Sequence, residues 1–282
     1  MIIAALAIVG LCMGSFVNAL VWRIHAQSIH KFEDHSKLKP GDLSILKGRS
    51  MCTNCHHELA VTDLLPVLSW LFLRGKCRYC HKPISKQYPI VELKVAALFV
   101  LSYILWPNSL NTTLEVILFI VWLVLLVGLS ALSVYDILWK LLPNRIIYPL
   151  SFFAIAYAVV NILISNHQLK ALINDLLAVL IAGGIFYVLF QVSDGKWIGG
   201  GDVKLGWLLG LIVSTPARAV LLIFVGSLSG CLFSLPLIMS HKLNRKTSIP
   251  FGPFLIFGVI IVELFGHAIL TWYSNTFLPY GV

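Results

Sequence analysis

The chain has 282 residues, 59% of them hydrophobic and only 12% charged, against about 25% charged in a typical soluble domain. Its mean hydropathy of +0.89 comes from apolar runs that recur almost to the last residue, which excludes a water-soluble enzyme and defines a polytopic integral membrane protein. The net charge of +9 would suggest nucleic acid in a soluble chain, but eleven of the basic residues fall between Arg23 and Lys86, so the charge bears on membrane topology and no nucleic acid is expected.

The first apolar run, Met1 to Trp22, has no basic n-region and no small-x-small cleavage site. It reads as a retained membrane helix rather than a secretory signal. Its basic flank is C-terminal, which places the N-terminus outside and the following loop in the cytoplasm. Further apolar stretches at about 90–106, 114–134, 146–165, 173–192, 203–214, 219–240 and 251–273 bring the expected crossings to eight. On this count Lys140, Arg145, Lys196, Lys204, Lys242, Arg245 and Lys246 face the cytoplasm, and only Lys170 and Arg218 face outward. The run 203–214 is shorter than the roughly 17 residues of a crossing helix unless Ile198 to Asp202 extends it. A re-entrant reading would invert every later segment and push the basic run His241 to Lys246 outside, so a crossing is preferred.

The fold class is therefore an all-α polytopic membrane protein, with about eight transmembrane helices and one small cytoplasmic loop domain. Its parts are a first helix at 1–23, the loop domain at 24–89 and a seven-helix membrane region at 90–282. The loop holds four of the six cysteines and six of the nine histidines. Cys52 and Cys55, then Cys77 and Cys80, form two CxxC knuckles separated by twenty-one residues, a spacing close to that of four-cysteine zinc sites. A domain this small has too little apolar surface to hold itself together, so a structural zinc is expected. Paired disulfides or a redox CxxC fit poorly with a reducing cytosol and with no flanking βαβ pattern. His56, His57 and His81 adjoin the cysteines and could replace one ligand, but four thiolates already complete a closed site, so they read as surface residues, and Cys12 and Cys231 as small hydrophobes.

In the membrane portion each acid needs a reason, because an unpaired carboxylate in hydrocarbon is costly. Glu92, Glu115 and Asp175 lie at the starts of spans, where interfacial water and the positive end of a helix favour them. Asp194 sits in a polar turn. Glu263, inside Val259 to Phe265, should face a neighbouring helix or a cavity. Asp136 follows the third crossing and Asp202 the fifth, so both belong to the cytoplasmic side and could meet. Asp202 ends Ile198-Gly199-Gly200-Gly201-Asp202, where the glycines permit close approach of another backbone. Two carboxylates sharing a site cannot both ionise easily, so one holds a proton while the other activates water, as in aspartic proteases. Two unrelated interfacial aspartates remain open on these grounds alone.

Several motifs carry a resemblance over nearly the whole chain: Gly14-Ser15-Phe16-Val17-Asn18, the two knuckles, Asp63 to Trp70, Arg74 to Cys80, Tyr88 to Leu93, Asp136 with Leu141-Leu142-Pro143-Asn144, Gly199 to Leu205, and Ile249-Pro250-Phe251-Gly252-Pro253. Together they resemble the type IV prepilin leader peptidases, membrane aspartic peptidases of the GxGD type from pilus and type II secretion systems. The resemblance implies Asp136 and Asp202 as the catalytic pair, and type 4 prepilins or pseudopilins as substrates, their short basic leader removed after a Gly at the cytoplasmic face. It also implies a bacterial inner-membrane location and a second activity, N-methylation of the new terminus from S-adenosylmethionine. No glycine-rich strand-turn-helix supports that second activity independently. Asn144 stands where the family often has Asp, a position to which no catalysis is assigned. Lys196 and Lys204 flank Asp202 and could either lower its pKa or simply obey the charge rule, the second being preferred. The competing class is a zinc-clipped transporter or assembly scaffold with Asp136 and Asp202 lining a cation path. A transport path would want ionisable groups near the bilayer midplane and internal repeats, and neither is seen.

Overall fold

The computed structural model describes residues 1–30, 43–45, 48–239 and 249–277. The basic run His241 to Lys246, expected in the cytoplasm, lies outside the described residues. All eight expected spans are helices, and the described residues contain no strand beyond two isolated bridges. The chain divides into two compact units, Met1–Ile104 and Leu105–Val282.

In the first unit α1 (Ile2–His30) lies against α3 (Gln87–Ile104). The sequence fixes this seam with two glycines one helical turn apart. A Cβ on Gly10 would stand 2.6 Å from the Ala96 Cα, and one on Gly14 would stand 2.5 Å from the Glu92 Cα. The order 10 against 96 and 14 against 92 makes the pair antiparallel, and Asn18 continues it by donating to the Tyr88 carbonyl at 3.1 Å. Without a hydrophobic drive between helices in lipid, such close backbone approach supplies the packing energy. At the end of α1, Arg23 donates to the carbonyls of Ser44, Ile45 and Gly48. The 3-10 turn Val61–Leu64 and the short α2 (Leu68–Phe72) stand between the two cysteine knuckles.

The second unit contains α4 (Thr113–Trp139), α5 (Asn144–Ile164), α6 (Gln168–Val192), α7 (Gly200–Val213), α8 (Pro216–Met239) and α9 (Gly252–Phe277). α4 packs on α5 and α9, α6 on α7 and α8, and α8 on α9. Its core is built from fully buried Trp122, Leu125, Leu126, Leu129 and Leu132 of α4, with Tyr157 of α5 and Leu205, Leu208 and Leu209 of α7. The start of α4 is a capping box, in which Thr112 Oγ1 accepts from the Glu115 N–H and the Glu115 carboxylate accepts from the Thr112 N–H.

Among the described residues, seven helices are long and apolar enough to cross a membrane. The eighth, α7, has 14 residues, about 21 Å at 1.5 Å per residue. It runs back along α6: Gly206 meets Ala182 and Gly183, Gly210 meets Ala178 and Val179, and the Asp175 carboxyl lies beside Ser214 at the helix end. This close antiparallel seam again depends on glycine, since a Cβ at Gly210 would lie 2.6 Å from the Val179 Cα.

Candidate active site

Asp136 sits in the last turn of α4, where a completely buried stretch from Leu129 to Tyr135 holds the helix in place. The helix stops because Lys140 turns into the left-handed region, its N–H returning to the Asp136 carbonyl at 2.8 Å. Leu141 to Pro143 then lead directly into α5. Asp136 is buried, and its Oδ2 accepts the Gly252 N–H at 3.1 Å from the first turn of α9. Gly252 is needed here for space: a Cβ would stand 2.6 Å from that same oxygen.

Asp202 is the third residue of α7 and lies in its first turn, which favours a carboxylate electrostatically. Its own N–H returns to the Gly199 carbonyl at 3.0 Å. Gly201 lets this turn approach the loop after α4, since a Cβ there would meet Leu142 Cβ at 3.0 Å. Asp136 and Asp202 thereby line one open cleft of about 460 Å³, shared with Lys140, Leu142, Asn144 and Lys204. The cleft brings together two carboxylates from helices far apart in sequence, at one end of the second unit.

Two features of the cleft go beyond the sequence reading. Lys204, expected merely to obey the charge rule, donates to Asn144 Oδ1 at 2.9 Å, and its ammonium lies 6.0 Å from the centre of the Tyr148 ring. The Gly252 amide is the other. Its advance signal was its place in the Ile249-Pro250-Phe251-Gly252-Pro253 motif, which carried the resemblance but gave the glycine no role.

The remaining acids divide. Glu115 is the capping residue already described, and Asp194 is exposed in a turn. Glu92 and Asp175 differ from their expected place at the starts of spans: both are buried inside helices. Glu92, the sixth residue of α3, accepts the Val67 N–H at 2.7 Å, while Asp175 Oδ1 has no hydrogen-bond partner among the described residues. The helix-start reading failed because α3 and α6 begin earlier than the apolar runs suggested, at Gln87 and Gln168. Glu263 faces its neighbours as expected, accepting from the Tyr157 hydroxyl, with Arg218 Nη1 3.9 Å from its other oxygen.

The four knuckle sulfurs of Cys52, Cys55, Cys77 and Cys80 all lie within 4.8 Å of one another, with Cys52 and Cys80 3.9 Å apart. A tetrahedron of Zn–S bonds near 2.3 Å has edges of about 3.8 Å, so the donor set fits zinc. The two knuckles share one local design. His56 N–H returns to the Cys52 carbonyl and His81 N–H to that of Cys77, with both histidines at positive φ and exposed. Asp63 ties the intervening turn to the second knuckle, accepting from Arg78 Nε at 2.8 Å and from the Tyr79 hydroxyl at 3.1 Å. Burial opposes ionisation of Cys52, but N–H groups of Cys55 and Asn54 and the neighbouring thiols bring it down to about 7.

A multi-span helical scaffold with two carboxylates lining one cleft, and a four-cysteine cluster, marks a membrane protein with a candidate acid-base site. Residues 8–106 match the model of the bacterial peptidase A24 N-terminal domain and residues 123–235 that of the type IV leader peptidase family. A prepilin leader peptidase/N-methyltransferase of Bacillus subtilis is 32% identical over 96% of this chain and 97% of its own. One so named from Aeromonas hydrophila is 29% identical over 95% and 92%, and a type 4 prepilin-like proteins leader peptide-processing enzyme of Escherichia coli is 30% identical over 89% of each. No solved structure gives a significant match. The chain belongs to the type IV leader peptidase family and is a membrane peptidase.

Proposed function

We propose that this enzyme removes the basic leader from type 4 prepilins or pseudopilins, after a Gly and at the cytoplasmic membrane face, with Asp136 and Asp202 as the catalytic pair. The observation that carries the reading is their shared cleft. The substrate's apolar segment lies laterally against the membrane helices, which brings the scissile peptide to the cleft. One carboxylate takes a proton from water, whose oxygen attacks the carbonyl carbon. The other, protonated, polarises the carbonyl oxygen and then gives its proton to the leaving nitrogen as the C–N bond breaks. The Gly252 N–H fixes one oxygen of Asp136 during this exchange, and the Lys204 ammonium, steadied by Asn144, adds positive charge at the rim. The excess of basic residues in the loop that follows α1 supports a cytoplasmic orientation of the cleft.

Cys52, Cys55, Cys77 and Cys80 would hold a closed structural zinc, which supplies folding energy rather than chemistry. The relatives' names also carry an N-methyltransferase activity. We extend it to this chain with S-adenosylmethionine as methyl donor, on resemblance alone. A dinucleotide-type donor site does not fit, because the described residues provide no strand-turn-helix for one, and no step is assigned through that donor.

The test is reconstitution of the purified protein in lipid nanodiscs with a prepilin, followed by N-terminal sequencing of the product. A new terminus immediately after the leader Gly supports the proposal. An intact precursor, or a cut elsewhere, refutes it.

A further inference from the structure

The segment between the two knuckles exposes a dense set of apolar side chains: Val61, Leu64, Leu65, Leu68, Leu71 and Phe72, the last 80% exposed. A small domain surrounded by water does not retain such a cluster without a partner. Its position relative to α3 identifies the partner. Val67 occupies a tight turn at φ 59°, ψ −48°, with the Leu68 N–H returning to the Pro66 carbonyl. The Val67 N–H is held at 2.7 Å by Glu92 Oε2, and Trp70 Nε1 donates to the Ile84 carbonyl at 3.2 Å. Glu92 is the sixth residue of α3, about 7.5 Å along the helix axis from Gln87.

α3 has 18 residues, about 27 Å of helix. The hydrocarbon layer is about 30 Å thick. A crossing helix this short uses nearly its whole length, which sets Glu92 close to the acyl-chain boundary, where the exposed Lys94 two residues on can still reach the headgroups, and the turn bonded to Glu92 is held at that boundary. The side chains flanking the turn are apolar, and those next along the chain, Arg74, Lys76 and Lys82, are exposed cations. An apolar insertion bordered by Lys and Arg is the pattern of an interfacial segment on an anionic bilayer.

We propose that Val61–Phe72 is an interfacial anchor: its apolar side chains enter the acyl-chain boundary of the leaflet in which α3 begins, while Arg74, Lys76 and Lys82 lie against anionic phospholipid headgroups. The carboxylate of Glu92 sets its depth by holding the Val67 amide. The anchor keeps the four-cysteine centre at the membrane surface.

The experiment places the photoreactive residue p-benzoylphenylalanine at position 72, and separately at 68, in the full-length protein. The protein is reconstituted in nanodiscs of phosphatidylethanolamine and phosphatidylglycerol. Position 56, exposed on the first knuckle, is the control, and thermal unfolding matched to wild type certifies each variant's fold. The anchor predicts about tenfold more phospholipid adduct at 72 and 68 than at 56. The same protein carrying Phe72→Trp should gain an emission component quenched by brominated acyl chains. Lipid adduct at 72 no greater than at 56, together with no added quenching, overturns the proposal. A prepilin adduct that replaces the lipid adduct on addition of substrate overturns it in favour of a substrate-docking surface.

Discussion

Replacing Gly252 by Ala tests the geometry of the aspartate cleft with a single methyl group. The added Cβ would stand 2.6 Å from Asp136 Oδ2, whereas ordinary contacts begin near 3.4 Å, so carboxylate and helix start must separate by about 0.8 Å. That movement also stretches the hydrogen bond from the Gly252 N–H, now 3.1 Å. A hydrogen bond to a charged acceptor is worth about 1.5–3 kcal/mol, roughly 10- to 150-fold in rate if it is needed in the transition state, and a misplacement near 1 Å can itself cost about 100-fold. We therefore expect kcat for leader cleavage to fall about 100-fold. Stability should also fall, by about 1–3 kcal/mol as overpacking does, with the helix preference of Ala offsetting only part of it. Gly184→Ala is the matched control: nothing lies within 4 Å of its added Cβ, and it should cleave normally. The assay is single-turnover cleavage of a prepilin in nanodiscs, with thermal unfolding recorded alongside. A folded Gly252→Ala enzyme that keeps more than about a third of wild-type kcat would mean that the position of Asp136 does not matter to the reaction, contrary to the cost of misplacement used here.

Elemental analysis of the purified protein should find one zinc per chain, and Cys77→Ser should release it and expose the Lys76–Lys82 region to proteolysis; metal-free protein with four freely titratable thiols would end the zinc reading. Gly14→Val should lower thermal stability by about 1–3 kcal/mol, as overpacking does, because the clash is with the Glu92 backbone and α1 and α3 must move apart; an unchanged melting temperature would show that this seam does not support the unit. Methyl transfer needs an unprotonated amine and a positioned donor, whereas hydrolysis needs activated water. Asp202→Asn should therefore still methylate a pilin supplied already cleaved, and joint loss of both activities in a folded protein would point to one shared site.

The positions of the apolar helices and the meeting of the aspartates could be read from the sequence because both follow from simple patterns. Apolar runs mark spans, and Asp136 and Asp202 share a side by parity. The knuckles were equally open to reading, since CxxC spacing alone restricts how four thiols can converge. What the sequence concealed depends on partners distant along the chain. Nothing local distinguishes Glu92 from an interfacial carboxylate until α3 is seen to start at Gln87 and Val67 is seen to turn its amide inward. Glu263 gained its partners only through the approach of α5 and α8 to α9, which brings in Tyr157 and Arg218. Gly252 resembles a turn glycine in sequence, yet its function is to leave room for a carboxylate 116 positions away.

The central claim is that Asp136 and Asp202 act as one acid-base pair on a leader peptide. Its most direct test is cleavage of a prepilin by Asp136→Asn and by Asp202→Asn, each reconstituted and shown to be folded by thermal unfolding. An amide keeps the size of the side chain but cannot exchange the proton, so each substitution should lower turnover by more than about 100-fold, as loss of general acid-base catalysis does. A well-folded mutant of either residue that cleaves at close to the wild-type rate would remove that aspartate from the pair and contradict the mechanism.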